Sequence, residues 1–317
     1  MPAGIYMEEW SPEYGSPYGV EATVATPATN VELVEDGDTV QNHPGTPTAL
    51  NLAFIDGIRR GEGHLYQTAP DGTMTTGLAG VYAVGSVLLE NGEAHFGDAI
   101  VKRLLIWSDG VAGELPNSDL WQWEPLTITE QGTPALIETL QDAMRHAEAE
   151  LGQSLRNAGR LVVLDGPLTY MWGQREGSVG YIKTHHRSLL PTANWPQVAD
   201  LPLGYRTSLF SINQDRYSCY ARVGNPTLVG GPYTGIIRLE IPADSGLAHA
   251  VLLANQMTGI LPELAGRHVK DPRAPQNLDP VHSLENHLRH ALGDSRLATR
   301  ALRDAVAQKL QIPGVFA

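Results

Sequence analysis

Three acidic residues stand where their side chains could be brought together to do chemistry. Asp56 follows the apolar run 52–55, Asp165 follows a second apolar run at 161–164, and Glu148 lies between the two runs. Carboxylate oxygens are the ligands that Mg²⁺ and Mn²⁺ prefer. Three converging carboxylates would repel one another without a cation, so the pattern predicts a divalent-metal site. Paired ions held by carboxylates are a common device for in-line displacement at phosphorus.

The two apolar runs predict two buried strands. Each run is short and is stopped by an Asp-Gly pair, Asp56-Gly57 and Asp165-Gly166. A short apolar run bounded by turn residues is typical of a strand that is buried on both faces. We therefore expect one strand over 50–57 and another that ends at Asp165. If these strands are neighbours, both aspartates lie at the same end of the sheet.

A helix between these strands would carry Glu148. Thr133 is a suitable N-cap, and Gly159 is a suitable residue to end the helix. At ~100° per residue, Glu148 lies about 40° from Met144 and is the one acid on the helix that should point toward the sheet. An inward carboxylate is costly unless it is paired, protonated or bound to a metal. The apolar stripe that defines the inner face comprises Leu136, Leu140, Met144, Ala147, Leu151 and Leu155.

The order of the other elements predicts an α/β fold with a mixed β-sheet flanked by helices. Two β-rich stretches within 77–107 flank the turn Asn91-Gly92, which is a strong hairpin signal. The first three strands should therefore form a meander, followed by a surface loop over 108–132. Further strands are expected at 205–212, 216–224 and 234–242, and further helices at 246–261 and 280–294.

The first 47 residues differ in composition from the rest of the chain. They are rich in Pro, Gly, Thr and acidic residues and show no sustained period. They are expected to form an irregular N-terminal arm that serves as a docking or dimer segment, with the folded domain over 48–317.

The charge balance limits how this protein could hold a nucleic acid. The chain of 317 residues has 22 Lys and Arg against 35 Asp and Glu, a formal net charge of −13. Such a chain should not bind nucleic acid by broad neutralisation of phosphates. A nucleic-acid substrate would need a narrow basic channel, or a partner that supplies the positive field.

The sequence also indicates a compartment. No run approaches about 18 apolar residues, so no transmembrane helix is expected. The N-terminus lacks the basic and apolar regions of a signal peptide. Cys219 is the single cysteine, which excludes a disulfide framework and makes a reducing cytoplasm the simplest location. The pattern around it, YSCY, is expected to be core.

Short motifs spread along nearly the whole chain resemble one nuclease family. Asp on the first strand, Glu on the first helix and Asp on the fourth strand is the ribonuclease-H-like order. Within that class the chain resembles the NurA nuclease family in a bacterial-type form. The motifs, whose signal lies in the set and its order, are FIDGIRR, MRHAE, VVLDGPL, VGYIKTHHR, DPRAPQNLDPVHSLENHLRHALGD and, weakly, EEWSPEYGSPY.

The resemblance implies a ribonuclease-H-like enzyme that cuts DNA with Mn²⁺ or Mg²⁺. Family members act as 5′-to-3′ exonucleases and as endonucleases on single strands. They form homodimers that dock on a hexameric HerA-type ATPase, and the pair resects DNA ends for recombination repair. The chain has no GxxxxGK[ST] motif, so an ATP motor would have to come from the partner. The N-terminal arm is the segment we expect to meet the ATPase.

The resemblance also assigns roles to residues. The catalytic set is Asp56, Glu148, Asp165 and Lys183. The two aspartates would share the metal ions, Glu148 would complete their coordination, and Lys183 would meet the phosphate. A metal-site histidine is matched loosely by His282, with His249 as the alternative. By residue type and position, the candidate DNA-binding set is Arg59, Arg60, Lys183, His185 and Arg187, with His186 in the same loop; the alternative is that these are solvated surface groups.

Two other functions are compatible with the same fold. One is a non-catalytic ribonuclease-H-like scaffold that regulates the ATPase, against which the intact Asp-Glu-Asp set argues. The other is an enzyme acting on RNA, since only the family resemblance favours DNA. Trp121, Trp123 and Trp172 could stack on bases, although packing in a core or an interface is the expected role.

Overall fold

A computed structural model describes residues 30–68, 72–117, 121–168, 175–184, 189–226 and 230–310. Trp172, His185, His186 and Arg187 lie outside the described residues, as does most of the predicted N-terminal arm. The strands are β1 (Val31–Leu33), β2 (Asn42–Pro44), β3 (Leu52–Thr68), β4 (Met74–Glu90), β5 (Glu93–Phe96), β6 (Ile100–Trp107), β7 (Glu124–Thr127), β8 (Leu161–Asp165), β9 (Ser178–Ile182), β10 (Tyr205–Thr207), β11 (Phe210–Ile212), β12 (Arg216–Arg222) and β13 (Ile236–Pro242). The helices are α1 (Thr133–Asn157), α2 (Trp195–Ala199), α3 (Leu247–Leu264), α4 (Asp279–Leu292) and α5 (Ser295–Lys309).

The chain divides into two compact units. The first contains the described residues of Met1–Ile55, Val87–His95 and Gly152–Ser283, and the second those of Asp56–Ser86, Phe96–Leu151 and Leu284–Ala317. In the first unit the strand order is β1-β11-β12-β13-β9-β8-β3. In the second unit it is β3-β4-β6-β7. Strand β3 therefore contributes its start to one unit and its remainder to the other.

The predicted fold class is confirmed. Strands β3, β4 and β6 are neighbours in that order, and β4 and β6 are antiparallel. Helix α1 follows β7 in the chain, and β8 then runs parallel to the start of β3, with β9 parallel to β8. A meander, a helix and a strand that returns parallel to the first form the ribonuclease-H-like order.

Helices cover both faces of the sheet in the second unit. A Cβ at Gly80 of β4 would lie 2.6 Å from Leu140 of α1, and one at Gly85 would lie 3.0 Å from Leu288 of α4. Residues five apart on a strand face opposite sides. The close approach of α1 and α4 to β4 thus depends on glycines at these two positions.

The first unit has a core of its own. It is built from eight buried residues of the strands, α2 and the loops: Val40, Leu190, Val198, Leu201, Phe210, Ile212, Tyr220 and Ile236. Helix α3 packs on β2, β10, β12 and β13. The described part of the predicted arm, residues 30–47, contributes β1 and β2 to this unit, where they pair with β11 and β10.

The first predicted strand is longer than the sequence indicated. Asp56-Gly57 does not end it, because β3 continues to Thr68. Beyond Asp56 its residues alternate in exposure, as expected for a strand with one solvated face. The expectation that Asp56 ends a strand is therefore wrong, whereas β8 does end at Asp165.

The other boundaries follow the sequence with local differences. The surface loop expected over 108–132 contains β7, which pairs with β6. Asn91 and Gly92 both have positive φ in the predicted turn, but the strand that follows it, β5, is only four exposed residues long. The predicted strand over 205–212 is divided into β10 and β11. Helix α5 was not predicted. Among the described residues, no helix is both long and apolar enough to cross a membrane.

Candidate metal centre

The strand register places the two aspartates at corresponding positions. Ile55 of β3 pairs with Leu164 of β8 in a parallel ladder that begins at Leu52 and Leu161. The next residue of each strand is an aspartate, Asp56 or Asp165. The apolar residues before them are buried and fix this register, because a slip by one residue would turn each side chain to the opposite face.

In the first unit, Asp165 is held by a lysine. Lys183 follows β9, and its Nζ donates to Asp165 Oδ2 in a short ion pair. The Lys183 and Asp165 side chains are only 11% and 15% exposed. Lys183 Nζ also donates to Asn277 Oδ1 at 2.8 Å. The predicted catalytic lysine thus contacts a predicted metal ligand directly.

This contact continues into a second buried carboxylate. Asn277 Nδ2 donates to Asp271 Oδ2 at 2.6 Å, and the Asp271 side chain is 3% exposed. His282 Nδ1 lies 3.0 Å from the same oxygen, so a protonated Nδ1 donates to it. The network runs Asp165–Lys183–Asn277–Asp271–His282 within one unit.

Asp271 is held in its charged form. Burial by itself would raise the pKa of its carboxyl group. Hydrogen bonds from the Arg273 and Asn277 side chains and from the Arg273 backbone, together with the charge of Arg273, outweigh burial and lower the pKa to about 2. The Asp271 carboxylate is therefore a permanent acceptor that orients His282 and Asn277.

A buried tyrosine ties the strand to the same segment. Tyr181 of β9 pairs with Asp165 in the ladder, and its hydroxyl donates to the Gln276 carbonyl at 2.6 Å. Burial, and then the charge of Asp165, raise the pKa of Tyr181 well above its usual value. The hydroxyl stays protonated and acts as a fixed donor that positions the residues next to Asn277.

In the second unit, Glu148 lies beside the strand that carries Asp56. A Cβ built on Gly57 would stand 2.5 Å from Glu148 Oε1 and 2.9 Å from Met144 Cγ. Glu148 is half-buried, and the Gly57 N–H donates to Asp56 Oδ1 at 2.9 Å. The prediction that Glu148 points toward the sheet is confirmed, and Gly57 is what allows its carboxylate to approach.

A fourth acid was missed in the sequence. Glu285 of α4 is 5% exposed and pairs with Arg289 at 3.3 Å. A signal for it exists: Val281, Leu284 and Leu288 define the buried face of α4, and Glu285 falls within that stripe at helical spacing. An acidic residue on the apolar face of a helix is the same signal that identified Glu148 on α1, and it identifies Glu285 on α4.

The two predicted DNA-binding arginines of β3 both have partners in the second unit. Arg59 is exposed, and its Nε donates to Gln141 Oε1 of α1. Arg60 donates to Glu62 Oε1 at 3.0 Å and to the carbonyls of Leu292 and Gly293 at the end of α4. Arg60 therefore satisfies carbonyls at the C-terminus of a helix, and Arg59 is the one of the two that faces solvent.

The two candidate histidines lie in different surroundings. His282 stands in the first turn of α4 and contacts Asp271, as described above. His249 is exposed on α3 and lines a pocket with Arg156 and Arg160. Of the two, His282 is the one connected to Asp165 through hydrogen-bonded side chains.

The tryptophans and the cysteine have packing roles. Trp123 is 4% exposed in a core cluster with Leu105 and Trp107, and Trp121 packs against that cluster beneath the Arg103 guanidinium at 4.4 Å. Cys219 is fully buried, and burial raises the pKa of its thiol to about 12. The expected packing of Trp121, Trp123 and Cys219 is confirmed.

The chemistry of the donor set fits a hard divalent ion. Asp56, Glu148, Asp165 and Glu285 offer carboxylate oxygens, and His282 offers a borderline nitrogen. Oxygen donors suit Mg²⁺ and Mn²⁺, and Mn²⁺ also accepts imidazole. The sole cysteine is buried elsewhere, so a thiolate site does not compete.

Comparisons with known proteins give one kind of match. No protein-family model matches the chain, and no curated protein matches it. Among solved structures, the crystal structure of the NurA nuclease from Sulfolobus solfataricus matches 84% of this chain and 88% of its own, with a TM-score of 0.44 and 10% identity.

This chain is similar to a NurA nuclease. At this identity and score the match assigns no residue roles in this chain.

Proposed function

We propose that this chain is a divalent-metal-dependent nuclease that cuts DNA with Mn²⁺ or Mg²⁺. The observation that carries the proposal is the register of β3 and β8, in which Ile55 pairs with Leu164 and each strand continues into an aspartate. Neighbouring strands lie ~4.8 Å apart, a spacing at which carboxylates at corresponding positions can share a cation. The predicted metal ligands are Asp56, Glu148, Asp165 and His282, to which Glu285 is added.

Within the second unit, carboxylate oxygens of Asp56 and Glu285 lie within 4.8 Å of each other, which is why Glu285 is added. Another acidic group, Glu35 with Asp36 and His43, lies in the first unit and could also hold a metal ion. There Glu35 is paired with the buried Arg206, and Asp36 accepts from Ser208 and His43. Because Asp165 is likewise paired with Lys183, neutralisation does not separate the two candidates, and the register of β3 and β8 is what favours the aspartates.

The residues around the carboxylates have defined parts in the proposed reaction. A bound divalent ion would lower the pKa of water and stabilise negative charge on phosphate oxygens. Lys183 places a positive charge at Asp165, where it can also meet a phosphate oxygen and stabilise charge that develops in the transition state. Asp271 and Asn277 orient His282 and Lys183, so both side chains are positioned before the substrate binds.

The experiment that tests the proposal compares isosteric variants of the two aspartates. Asp56→Asn and Asp165→Asn should each reduce Mn²⁺-dependent cleavage of single-stranded DNA by at least ~100-fold, because each removes a charged ligand. Asp98→Asn, an exposed aspartate, should cleave at the wild-type rate. Wild-type rates in either site variant would refute the assignment.

A calorimetric titration with Mn²⁺ separates the enzyme from a non-catalytic scaffold. The wild-type protein should bind Mn²⁺, and Asp56→Asn and Asp165→Asn should each weaken that binding. A protein that binds no Mn²⁺ and cuts no DNA is the scaffold. Parallel assays with RNA and DNA of one sequence test the preference for DNA, which rests on the family resemblance.

The finer activities and partners are part of the same proposal. We propose 5′-to-3′ exonuclease and single-strand endonuclease activity, a homodimer, and docking on a HerA-type hexameric ATPase in DNA end resection for recombination repair. A net charge of −13 and the lack of a GxxxxGK[ST] motif support a partner that binds DNA and hydrolyses ATP. A cytoplasmic location fits a DNA substrate and one free cysteine.

Each of these points has a direct readout. End-labelled duplexes of defined polarity report the direction of digestion, and light scattering reports the mass of the assembly. Co-elution with a HerA-type ATPase, with and without residues 1–29, tests the ATPase and the arm as its docking segment. Digestion from 3′ ends only, a monomeric mass, or no co-elution would each contradict the corresponding point.

A further inference from the structure

A pocket in the first unit brings together two arginines and a histidine. It is lined by the end of α1, by the residues just before β8 and by α3, and it encloses about 470 Å³. Arg156 and Arg160 contribute the two guanidinium groups, and His249 contributes an imidazole. In a chain with a net charge of −13, such a concentration of basic groups at one pocket needs a physical reason.

The two guanidinium groups are fixed by neighbouring side chains. Arg156 Nη1 donates to Ser178 Oγ at 2.8 Å, and its Nη2 donates to Gln153 Oε1 at 2.7 Å. Arg160 Nη2 donates to Glu90 Oε1 in a short ion pair. The planar groups are thus held in one orientation, which reduces the entropy that a ligand would have to offset.

One donor on Arg160 is left over. Arg160 Nη1 is buried and has no hydrogen-bond partner among the residues that the structure describes. A buried donor without an acceptor costs free energy, and more so when the group is charged. An anionic oxygen in the pocket would remove that cost. Among the lining residues that the structure describes, Glu176 is the one carboxylate, and it is exposed at the rim.

The geometry points to a phosphate-binding site formed by Arg156 and Arg160. Guanidinium groups match the geometry of phosphate oxygens and bind them through paired charge-assisted hydrogen bonds. The ligand is a phosphate oxyanion, either a phosphate of a nucleic-acid strand or a free phosphate. This site shares no residue with the proposed metal ligands, so its test is independent of the test of the nuclease assignment.

The first experiment uses inorganic phosphate and the full-length protein. Phosphate should raise the melting temperature above that measured in chloride at the same ionic strength, because a ligand that binds only the folded state stabilises it. Arg156→Gln/Arg160→Gln should weaken phosphate binding at least ~10-fold. Arg145→Gln, which removes an α1 arginine outside the pocket, should keep the wild-type shift. Equal shifts in the double variant and the wild type would overturn the proposal.

A second variant keeps the test valid if the double variant fails to fold. Glu176→Gln removes an exposed rim carboxylate and should not affect folding. Because the carboxylate repels an anion, its removal should tighten phosphate binding by ~2- to 5-fold. Unchanged or weaker binding in this variant would contradict an anion site.

Competition identifies the source of the phosphate. Anisotropy with a labelled single strand in EDTA, which prevents metal-dependent cleavage, measures strand binding without turnover. If the ligand is a strand phosphate, inorganic phosphate should displace the strand, and Arg156→Gln/Arg160→Gln should bind it at least ~10-fold more weakly. If neither inorganic phosphate nor the double variant weakens binding of the DNA strand, while phosphate still raises the melting temperature of the wild type, the ligand is free phosphate. The absence of any phosphate-specific shift in the wild type would reject the site.

Discussion

Gly57→Ala tests the placement of Glu148 against the strand that carries Asp56. The added methyl group would stand 2.5 Å from Glu148 Oε1, 2.9 Å from Met144 Cγ and 3.1 Å from Met144 Sδ. Contacts this short cannot persist, so either the carboxylate or the methionine must move. Overpacking of this kind typically costs ~1–3 kcal/mol. We expect a loss of stability in that range and weaker Mn²⁺ binding, because Glu148 is displaced.

Gly61 provides a matched control on the same strand. A Cβ at Gly61 would have Leu78 Cδ1 as its neighbour at 3.7 Å, which is an ordinary contact. Gly61→Ala should therefore change the free energy of unfolding by less than ~0.5 kcal/mol. Urea unfolding of both variants in EDTA measures the difference between them.

A double variant identifies the cause of the effect. If the clash with Glu148 accounts for the loss, then Gly57→Ala in a Glu148→Ala background should cost at least ~1 kcal/mol less than in the wild type. Glu138→Ala, which truncates an exposed acid of the same helix, should not relieve the loss. Equal stabilities of Gly57→Ala and Gly61→Ala would show that Glu148 is not packed beside Gly57.

Three further predictions concern buried charges in the first unit. Lys183→Met should lower the free energy of unfolding by about 3 kcal/mol in EDTA, since it leaves Asp165 without its ion-pair partner. The loss should be smaller in Mn²⁺, because a bound ion would also neutralise Asp165. An equal loss in both buffers would contradict this shared neutralisation. Asp271→Asn should cost about 2–4 kcal/mol in urea unfolding, because the new amide would turn a donor toward the Asn277 donor; a loss below ~0.5 kcal/mol would refute the network. Burial would raise the pKa of Glu35, but hydrogen bonds from Arg206 and Leu209 lower it below 4.5, so its contribution is present above that pH and is lost as the pH falls further. The stability difference between wild type and Glu35→Gln should therefore shrink on acidification, and a constant difference from pH 7 to pH 3 would contradict this sign.

The sequence predicted those parts of the site that depend on local periodicity. The stripe on α1 located the buried face of the helix, and with it the direction of Glu148, because side chains on one face recur at three and four. The apolar run before Asp165 gave the strand and its end correctly. Both features depend on residues that are near one another in the chain.

The sequence misled where tertiary pairing overrides local signals. Asp56-Gly57 is a typical turn pair, but β3 runs through it to Thr68 because its neighbour β4 offers a continuous partner. Asp-Gly is therefore a signal that pairing can override. The sequence around Asp56 predicted a strand end there, whereas the real end of β3, at Thr68, depends on pairing with residues far from Asp56 in the chain.

The partners of Lys183 were beyond local analysis altogether. Asn277 lies far from Lys183 in the chain and contacts it only because the segment before α4 packs beside β9, and Asp271 is connected to Lys183 only through Asn277. Asp271 carries no periodic signal, since it lies outside any helix or strand. Glu285 could have been identified from the sequence, because it interrupts the apolar stripe of α4 in the same way that Glu148 interrupts that of α1.

Anomalous diffraction from crystals grown with Mn²⁺ would locate the bound ions themselves. A metal site shared by Asp56 and Asp165 predicts manganese peaks coordinated by oxygens of both residues, and their loss in Asp165→Asn. Crystals without manganese at these aspartates, or with manganese only at Glu35, Asp36 and His43, would contradict it.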